Sequence, residues 1–599
     1  MREIQARRPL PRNGFHPVAP ARFYGVFGHA QAGGVIGSKP MIAGIRVQVS
    51  VGSGTDGGVI RHQRESGLGE TAKTAEIHWR LQGRGRRWGP GAETAPSFFR
   101  LDPSRRSGDR PVTNGWPLIL PLGRRLAAAF AHGMNYRVFV SILSVVAFST
   151  SLCAAGRIVA GPMLGYQEHR EVLVWLETEG AGRVELSVRP ATSDAPSRLV
   201  PATRSLNNPI GTHVHHFVVD GLVAGQAYAY AIMLDGTAQP AATPLTFRAK
   251  AQWEWRGDPP VVRFLVGSCS YFNDPPYDRP TGPTRPPYGA SPEIFRNMAK
   301  HGGDFMLWLG DNLYLREQDW SSRYGIFFRY SADRRAEAVQ PLLAAMHHYG
   351  TWDDHEFGPN DSSRSYELKD TTLEAFRWYW PMRSAGETDN AGIYTRFVQG
   401  DAEIFILDGR YHRDASALAD ATPGKSFLGP RQLAWLKSAL ADSNANANIA
   451  LRFIAVGSQF LNPMAFDENL SRYPQERADI LDFILKNKIG GVVFLTGDRH
   501  FGEFSRLERA GAPPVLELTS SSLTAGTNRR PVTEGEKWAE AKNPVRVPGS
   551  IIVENNFGEI TLTGPRRARM LGFTAYNREG KSLWSTSVPV ADLQFARAP

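Results

Sequence analysis

Residues 492–504 read VVFLTGDRHFGEF. Val492 to Leu495 form a continuous apolar run, which suits a strand covered on both faces, and the run stops on Gly497, Asp498, Arg499 and His500. A Gly-Asp pair after a strand is also ordinary turn chemistry. Taken alone, the stretch therefore fits a satisfied loop histidine as well as a carboxylate and imidazole placed for function.

Outward from this strand the pattern repeats. VVRFLVGSCS, DFMLWLGDNLY, HYGTWDDHEFGPND, AEIFILDGRYHR and LRFIAVGSQ are further apolar runs that break into Gly- and Asp-rich ends. Between them lie helical segments: SPEIFRNMAKHG with Ser291 as N-cap and Pro292 at the first position, and the amphipathic GPRQLAWLKSALAD. Strands alternating with helices predict a layered α/β domain over residues 261–599. Cys269, Asp311, Asp353, Asp354, His355, Asp408, Asp498 and His500 all follow directly on a strand. Ligands bind at the carboxyl ends of strands in open α/β sheets, so these residues are expected in one crevice. Carboxylates crowded there raise one another's pKa, and a cation resolves the conflict. The donor types suit hard and borderline metals, and a metal pair bridged by one carboxylate serves phosphoester hydrolysis.

The chain has 599 residues and a formal charge of +11, which invites a nucleic-acid or membrane-surface reading. The charge distribution argues against it. Residues 1–133 hold 20 Lys+Arg and 8 Asp+Glu, leaving 49 against 50 for the rest. The surplus sits in an Arg-, Gly- and Pro-rich segment without sustained periodicity, expected to be disordered or a non-native upstream extension. Residues 134–156, MNYRVFVSILSVVAFSTSLCAAG, carry Met134, a positive Arg137, an apolar stretch and a small-residue end, which together predict a secretory signal beginning at the true start. The apolar stretch falls short of the roughly 20 residues of a membrane span, so no stable span remains after cleavage and the mature protein is expected in the periplasm or outside the cell. Leu152 before Cys153 departs from a lipid-anchor signal. Cleavage near Gly156 leaves Cys269 as the sole cysteine, unable to form an internal disulfide. It is then buried and inert, reactive, or a metal ligand.

Residues 157–250 alternate apolar and polar between Gly, Pro and Asn turns, which predicts a β-sandwich; VDGLVAGQAYAYAI is similar to part of a fibronectin type III module. His213, His215 and His216 read there as strand residues rather than a metal site, since Asp220 is their one acidic neighbour. KAQWEWRGDPP supplies the linker at 251–260.

The motifs GSC, GDNLY, WDDHEFGPND, LDGRYHR and GDRH, in this order and each at a strand end, resemble the alkaline phosphatase D (PhoD-like) family of metallophosphoesterases across residues 157–599. The resemblance implies that Cys269, Asp311, Tyr314, Asp498 and His500 surround the metals, with Asp311 touching both ions. It adds Asp354 and Asn360 as ligands, His355 as a ligand or its support, and Arg410 as the group that neutralises phosphate oxygens. The implied metals are Fe3+ and Ca2+, with a Zn2+ or Mn2+ pair as the alternative. The implied function is an exported phosphoester hydrolase in which metal-activated water attacks phosphorus, with Cys269 a ligand and not a nucleophile. A phosphodiesterase or phospholipase D-like hydrolase on the same scaffold is the alternative, and a non-catalytic exported binding protein the second. Two features depart from the family pattern: His412 stands where tyrosine is common, and no clear twin-arginine signal follows Met134. The motifs leave the oligomeric state open. The Pro-rich 273–289, NDPPYDRPTGPTRPPYG, is either a lid or lip of the site or a solvated connection.

Overall fold

The computed structural model describes residues 156–596, apart from 193–194, 279–280, 283–285 and 465–467, together with three strands nearer the N-terminus. Those three, Ile45–Gln48 (β1), Gly58–Arg64 (β2) and Ala75–Trp79 (β3), pair antiparallel in one compact unit, residues 1–122. The segment AEIHW alternates over only five positions, too few to register as periodicity in an Arg- and Gly-rich background. The remainder of 1–133, and the expected signal with Met134 and Cys153, lie outside the described residues. No helix among the described residues is long and apolar enough to cross a membrane.

The second unit opens with nine strands: Arg157–Gln167 (β4), Val172–Glu179 (β5), Val184–Pro190 (β6), Arg198–Pro201 (β7), Arg204–Asn207 (β8), His213–Val219 (β9), Ala227–Leu234 (β10), Thr237–Ala238 (β11) and Thr246–Arg248 (β12). One sheet runs β11-β10-β6-β7 with β12 on β10, and it packs on β4, β5 and β9 around Val174, Leu176, Leu186, Phe217, Tyr230 and Ile232. Strand β10 buries every second residue, the period expected of a strand with one covered face.

The larger region contributes Val262–Gly267 (β13), Phe305–Leu309 (β14), His347–Thr351 (β15), Thr395–Gln399 (β16), Ala402–Ile406 (β17), Leu451–Val456 (β18), Val492–Thr496 (β19), Glu503–Leu507 (β20), Val515–Thr519 (β21), Asn556–Thr563 (β22), Met570–Asn577 (β23) and Ser582–Pro589 (β24). They form two sheets. One has the order β24-β23-β22-β13-β14-β15-β4-β5-β9-β8, so β4 joins the small module edge to edge with the large sheet. The other has the order β16-β17-β18-β19-β21-β20. Strands β13, β14 and β15 are parallel, as are β17, β18, β19 and β21.

The apolar runs have a direct cause. Ile404, Phe453, Val493 and Leu495 face the core shared with Phe264, Phe305 and Leu307 of the other sheet. Their neighbours Phe405, Ile454 and Phe494 face a second core with helices Pro430–Ala445 and Pro474–Lys486. A strand clothed on both faces needs apolar residues at every position, and each such side chain contributes about 1.5–3 kcal/mol on burial. Phe264 and Phe453 meet edge to face at 5.3 Å across the two sheets. The helix expected after Ser291 spans Glu293–His301, and Ser291 Oγ accepts from the Glu293 amide at 3.4 Å, one residue earlier than a regular cap.

Candidate metal centre

The second residue past the end of each of seven parallel strands is polar: Cys269, Asp311 and Asp353 after β13, β14 and β15, and Asp408, Ser458, Asp498 and Ser521 after β17, β18, β19 and β21. Two packed sheets thus bring their carboxyl ends to one place. Glycine permits the approach: a Cβ on Gly497 would lie 2.6 Å from both the Leu309 carbonyl and the Ser268 Cβ, and one on Gly457 would clash with the Asp353 side chain. The Gly before Asp498 therefore reflects close packing between sheets rather than turn chemistry alone. Cys269, Asp311, Asp361, Asp498 and His500 adopt positive φ of 52–70°, a region costly for residues with a Cβ and often held at functional sites. This backbone turn takes both Asp498 and His500 out of the alternating pleat.

Cys269, Asp311 and His500 each offer a donor atom within 4.8 Å of the other two. The Cys269 thiol lies 3.6 Å from Asp311 Oδ2, and the Tyr314 hydroxyl lies 3.2 Å from that oxygen and 3.4 Å from His500 Nε2. Ser521 donates to the Cys269 sulfur at 3.1 Å. The ring NH at His500 Nδ1 donates to the Gly526 carbonyl, which leaves Nε2 as the acceptor facing the cluster.

Asp354 and His355 open a one-turn helix, Asp354–Phe357, and form a second group of donors with Asp311. The His355 ring lies 4.0 Å from that of Tyr314. Asn360 lines a polar cavity of about 460 Å3 with Asp361, Glu468, Asp498, His500 and Asn528. The structure thus brings Cys269, Asp311, Tyr314, Asp354, His355, Asn360, Asp498 and His500 into one region.

Arg410 has a different place from the one expected. It is fully buried, its Nε donates to Asp353, and its two terminal nitrogens grip Glu468. Committed to those carboxylates, it offers no face to a phosphate in the cavity. Arg413 closes the same network on Glu468 at 3.2 Å and on Ser458 at 3.2 Å. Asp408 also stays out of the crevice: its carboxylate accepts from Trp352 Nε1 and from the amides of Ile393, Arg410 and Tyr411 at 2.8–2.9 Å. His412 bonds the Ala391 carbonyl and does not line the cavity. On the small module, His215 is held between Thr178 and Ser205, and His216 between Trp378 and Arg204, so both nitrogens of each of these two rings are engaged and neither is free for a metal.

Two further carboxylates of this region are not singled out by the sequence. Glu468 forms a third donor group with Asp354 and Asp361; it lies on the loop after β18, where the strand-end rule pointed, but twelve residues past the strand. Glu356 accepts from the amides of Asp311, Asn312 and Asp353 and so holds two donor loops in register.

Charge crowding explains what these groups need. Burial, reinforced by Asp354 and Cys269, pushes the Asp311 carboxyl well above the usual range. Burial pushes the Cys269 thiol up to about 12, and pushes Asp498 up to about 7 although Arg499 opposes it. Burial alone would raise Asp354 too, but His355 and Arg410 outweigh it and hold that carboxyl below its usual range. Asp311 Oδ1 and Asp498 Oδ2 are buried without a hydrogen-bond partner among the described residues. Orphaned carboxylate oxygens beside a thiol, a phenol and an imidazole acceptor fit a cation, which would replace their protons.

Fold and site together define a layered α/β protein with a candidate metal centre between the carboxyl ends of two sheets. The PhoD-like phosphatase family model matches residues 264–569, just over half the chain, and a domain of unknown function (DUF7800) matches residues 155–249. The alkaline phosphatase D of Bacillus subtilis (strain 168) is 24% identical over 385 residues, covering 55% of this chain and 61% of that protein. The chain thus spans about three fifths of that relative's length. A solved structure of PhoD superposes with a TM-score of 0.55 at 16% identity, covering 71% of this chain and 91% of its own, which shows a shared fold. The chain belongs to the PhoD-like phosphatase family.

Proposed function

We propose that this chain is an exported metal-dependent phosphoester hydrolase. The observation that carries the reading is the convergence of Cys269, Asp311, Tyr314 and His500 at hydrogen-bonding distances, with the Asp311 Oδ1 and Asp498 Oδ2 atoms lacking a hydrogen-bond partner among the described residues. Thiol and phenol suit a ferric ion, and the oxygens of Asp354, Asn360 and Asp361 suit calcium, so Fe3+ with Ca2+ is the favoured pair and Zn2+ or Mn2+ the alternative. Such cations would supply Lewis acidity and positive charge toward phosphate oxygens.

The chain's own residues divide the remaining work. Asp311 stands between the Cys269 and Asp354 groups, the position of a bridge. Glu356 fixes the backbone of the Asp311 and Asp353 loops. Burial lowers the His355 pKa although Asp354 opposes it, which favours the neutral ring with a free lone pair over the imidazolium. Asn360, Ser416, Thr527 and Asn528 present amide and hydroxyl groups to the alcohol part of the ester. Arg410 is spent on Asp353 and Glu468, so it holds those two carboxylates in place, and bound cations would have to compensate the charge of a phosphate. Export rests on the signal-like residues 134–156.

Metal analysis of the purified chain, joined to turnover of a panel of phosphomonoesters and phosphodiesters, tests this reading. Metal-loaded protein that hydrolyses neither class overturns it.

A further inference from the structure

The Pro-rich residues 273–289 are anchored at both ends. The Asn273 side chain donates to the Gly289 carbonyl at 2.7 Å and accepts from its amide at 2.9 Å. Tyr271 donates to Asp278, whose second oxygen accepts from the Asp274 amide at 2.6 Å, and the Arg316 guanidinium stacks on the Tyr271 ring at 4.0 Å. Tyr288, one residue before Gly289, is therefore delivered to a fixed place: its ring meets Tyr271 edge-on at 4.8 Å and 81°.

The other side of Tyr288 meets the metal centre. Its hydroxyl lies 3.3 Å from His500 Nδ1. Its ring covers Gly526 so closely that a Cβ there would lie 3.0 Å from Cε2. Gly526 supplies the carbonyl that takes the Nδ1 proton and so aims Nε2 at Tyr314, Cys269 and Asp311. His500 and Tyr288 come from chain positions 212 apart, and neither the GDRH motif nor the Pro-rich composition points to the pairing.

We propose that Tyr288 is a positioning residue for His500, holding the Gly526 carbonyl and the imidazole in the geometry that presents Nε2; the proposal rests on the reading of His500 as a metal ligand. An imidazole with an unsupported Nδ1 can swing about two side-chain torsions, and groups that orient a ligand from behind typically account for about 10–100-fold in metal affinity or activity. The flat ring packed on a glycine does this work, with the hydroxyl sharing the Nδ1 proton.

The test measures iron and calcium retained after dialysis against graded chelator for wild type, Tyr288→Ala, Tyr288→Phe and Gly526→Ala, with thermal unfolding checked for each. Tyr288→Ala is expected to retain metal about 10–100-fold less tightly, Tyr288→Phe to recover most of that loss, and Gly526→Ala to mimic Tyr288→Ala by pushing the ring away. Tyr288→Leu, which keeps apolar bulk without the flat ring, carries the same expectation as Tyr288→Ala and replaces it if that variant does not fold. Unchanged metal retention in the folded Ala or Leu variant overturns the proposal, as does a change confined to KM, which would make Tyr288 a substrate contact. Wild type that retains no metal overturns the ligand reading beneath it, and that outcome is seen before any variant is compared.

Discussion

The Tyr314 hydroxyl stands 3.4 Å from His500 Nε2, although 186 positions separate the two residues. Each follows a strand of a different sheet, β14 for Tyr314 and β19 for His500, and the absence of a side chain at Gly497 lets those strand ends meet. The candidate centre is therefore a seam between two sheets. Disturbing either side should be felt by donors on the other.

Asp311 tests the seam most directly. Asp311→Asn removes one negative charge from a position shared by two donor groups without changing the side chain's shape. Metal should be lost or misplaced and turnover should fall about 100- to 1,000-fold, several kcal/mol of barrier. A variant that keeps its metals and more than about a tenth of the wild-type rate would show that Asp311 is not the bridge.

Colour separates the iron reading from its neighbours. Thiolate and phenolate bound to ferric iron absorb in the visible, whereas zinc and calcium sites are colourless. Protein purified without chelator should be coloured; Tyr314→Phe should shift or bleach the band with the fold intact, and Cys269→Ser should weaken iron retention more than folding. Active, colourless wild type holding only zinc or manganese would return Cys269 and Tyr314 to packing roles.

Arg410 should behave as a structural cation. Arg410→Gln leaves Asp353 and Glu468 facing each other in the interior, and breaking one side of a buried ion pair typically costs about 3–5 kcal/mol. Arg410→Lys should recover little, because one ammonium cannot span Asp353 and both oxygens of Glu468. Denaturant unfolding measures the loss. Unchanged stability with a raised KM would instead place the guanidinium on the substrate.

His348 imposes a pH dependence on stability that is separate from the candidate metal centre. Its Nδ1 accepts from the Trp308 indole at 3.0 Å and its Nε2 donates to the Leu342 carbonyl at 3.0 Å, and burial pushes its pKa down to about 3. Between about 3 and the ordinary 6.5, the unfolded chain binds a proton that the folded chain does not, so its stabilising contribution is whole above pH 6.5 and is lost as the pH falls. At pH 5 the loss should be about 2 kcal/mol. The stability difference between wild type and His348→Gln, measured by urea unfolding, should shrink by that amount from pH 7.5 to 5; a difference independent of pH would mean that His348 takes up its proton over the same pH range in the folded chain as in the unfolded one.

Much of this architecture was legible in the residues themselves. Runs such as Val492 to Leu495 must be clothed on both faces, which implies layers, and parallel strands clothed that way send their ends to a common edge. Cys269, Asp311, Asp353, Asp408, Asp498 and the adjoining Asp354, His355 and His500 could be marked because strand polarity alone brings them to that edge. Where a side chain points after leaving the edge is decided by backbone torsion and by the opposing sheet, and neither is written in the local pattern. Positive φ turns Asp498 and His500 together toward Cys269 and Asp311. Asp408, at the same offset from its strand, instead bonds Trp352 and three backbone amides, and Arg410, two residues further on, is drawn to Asp353 and Glu468. Glu356, Glu468 and Tyr288 belong to the site through contacts with loops dozens to hundreds of residues away. Their roles exist only once two sheets and their loops have closed on one another, because a lone glutamate or tyrosine in a loop has the same local chemistry whether or not a partner stands opposite.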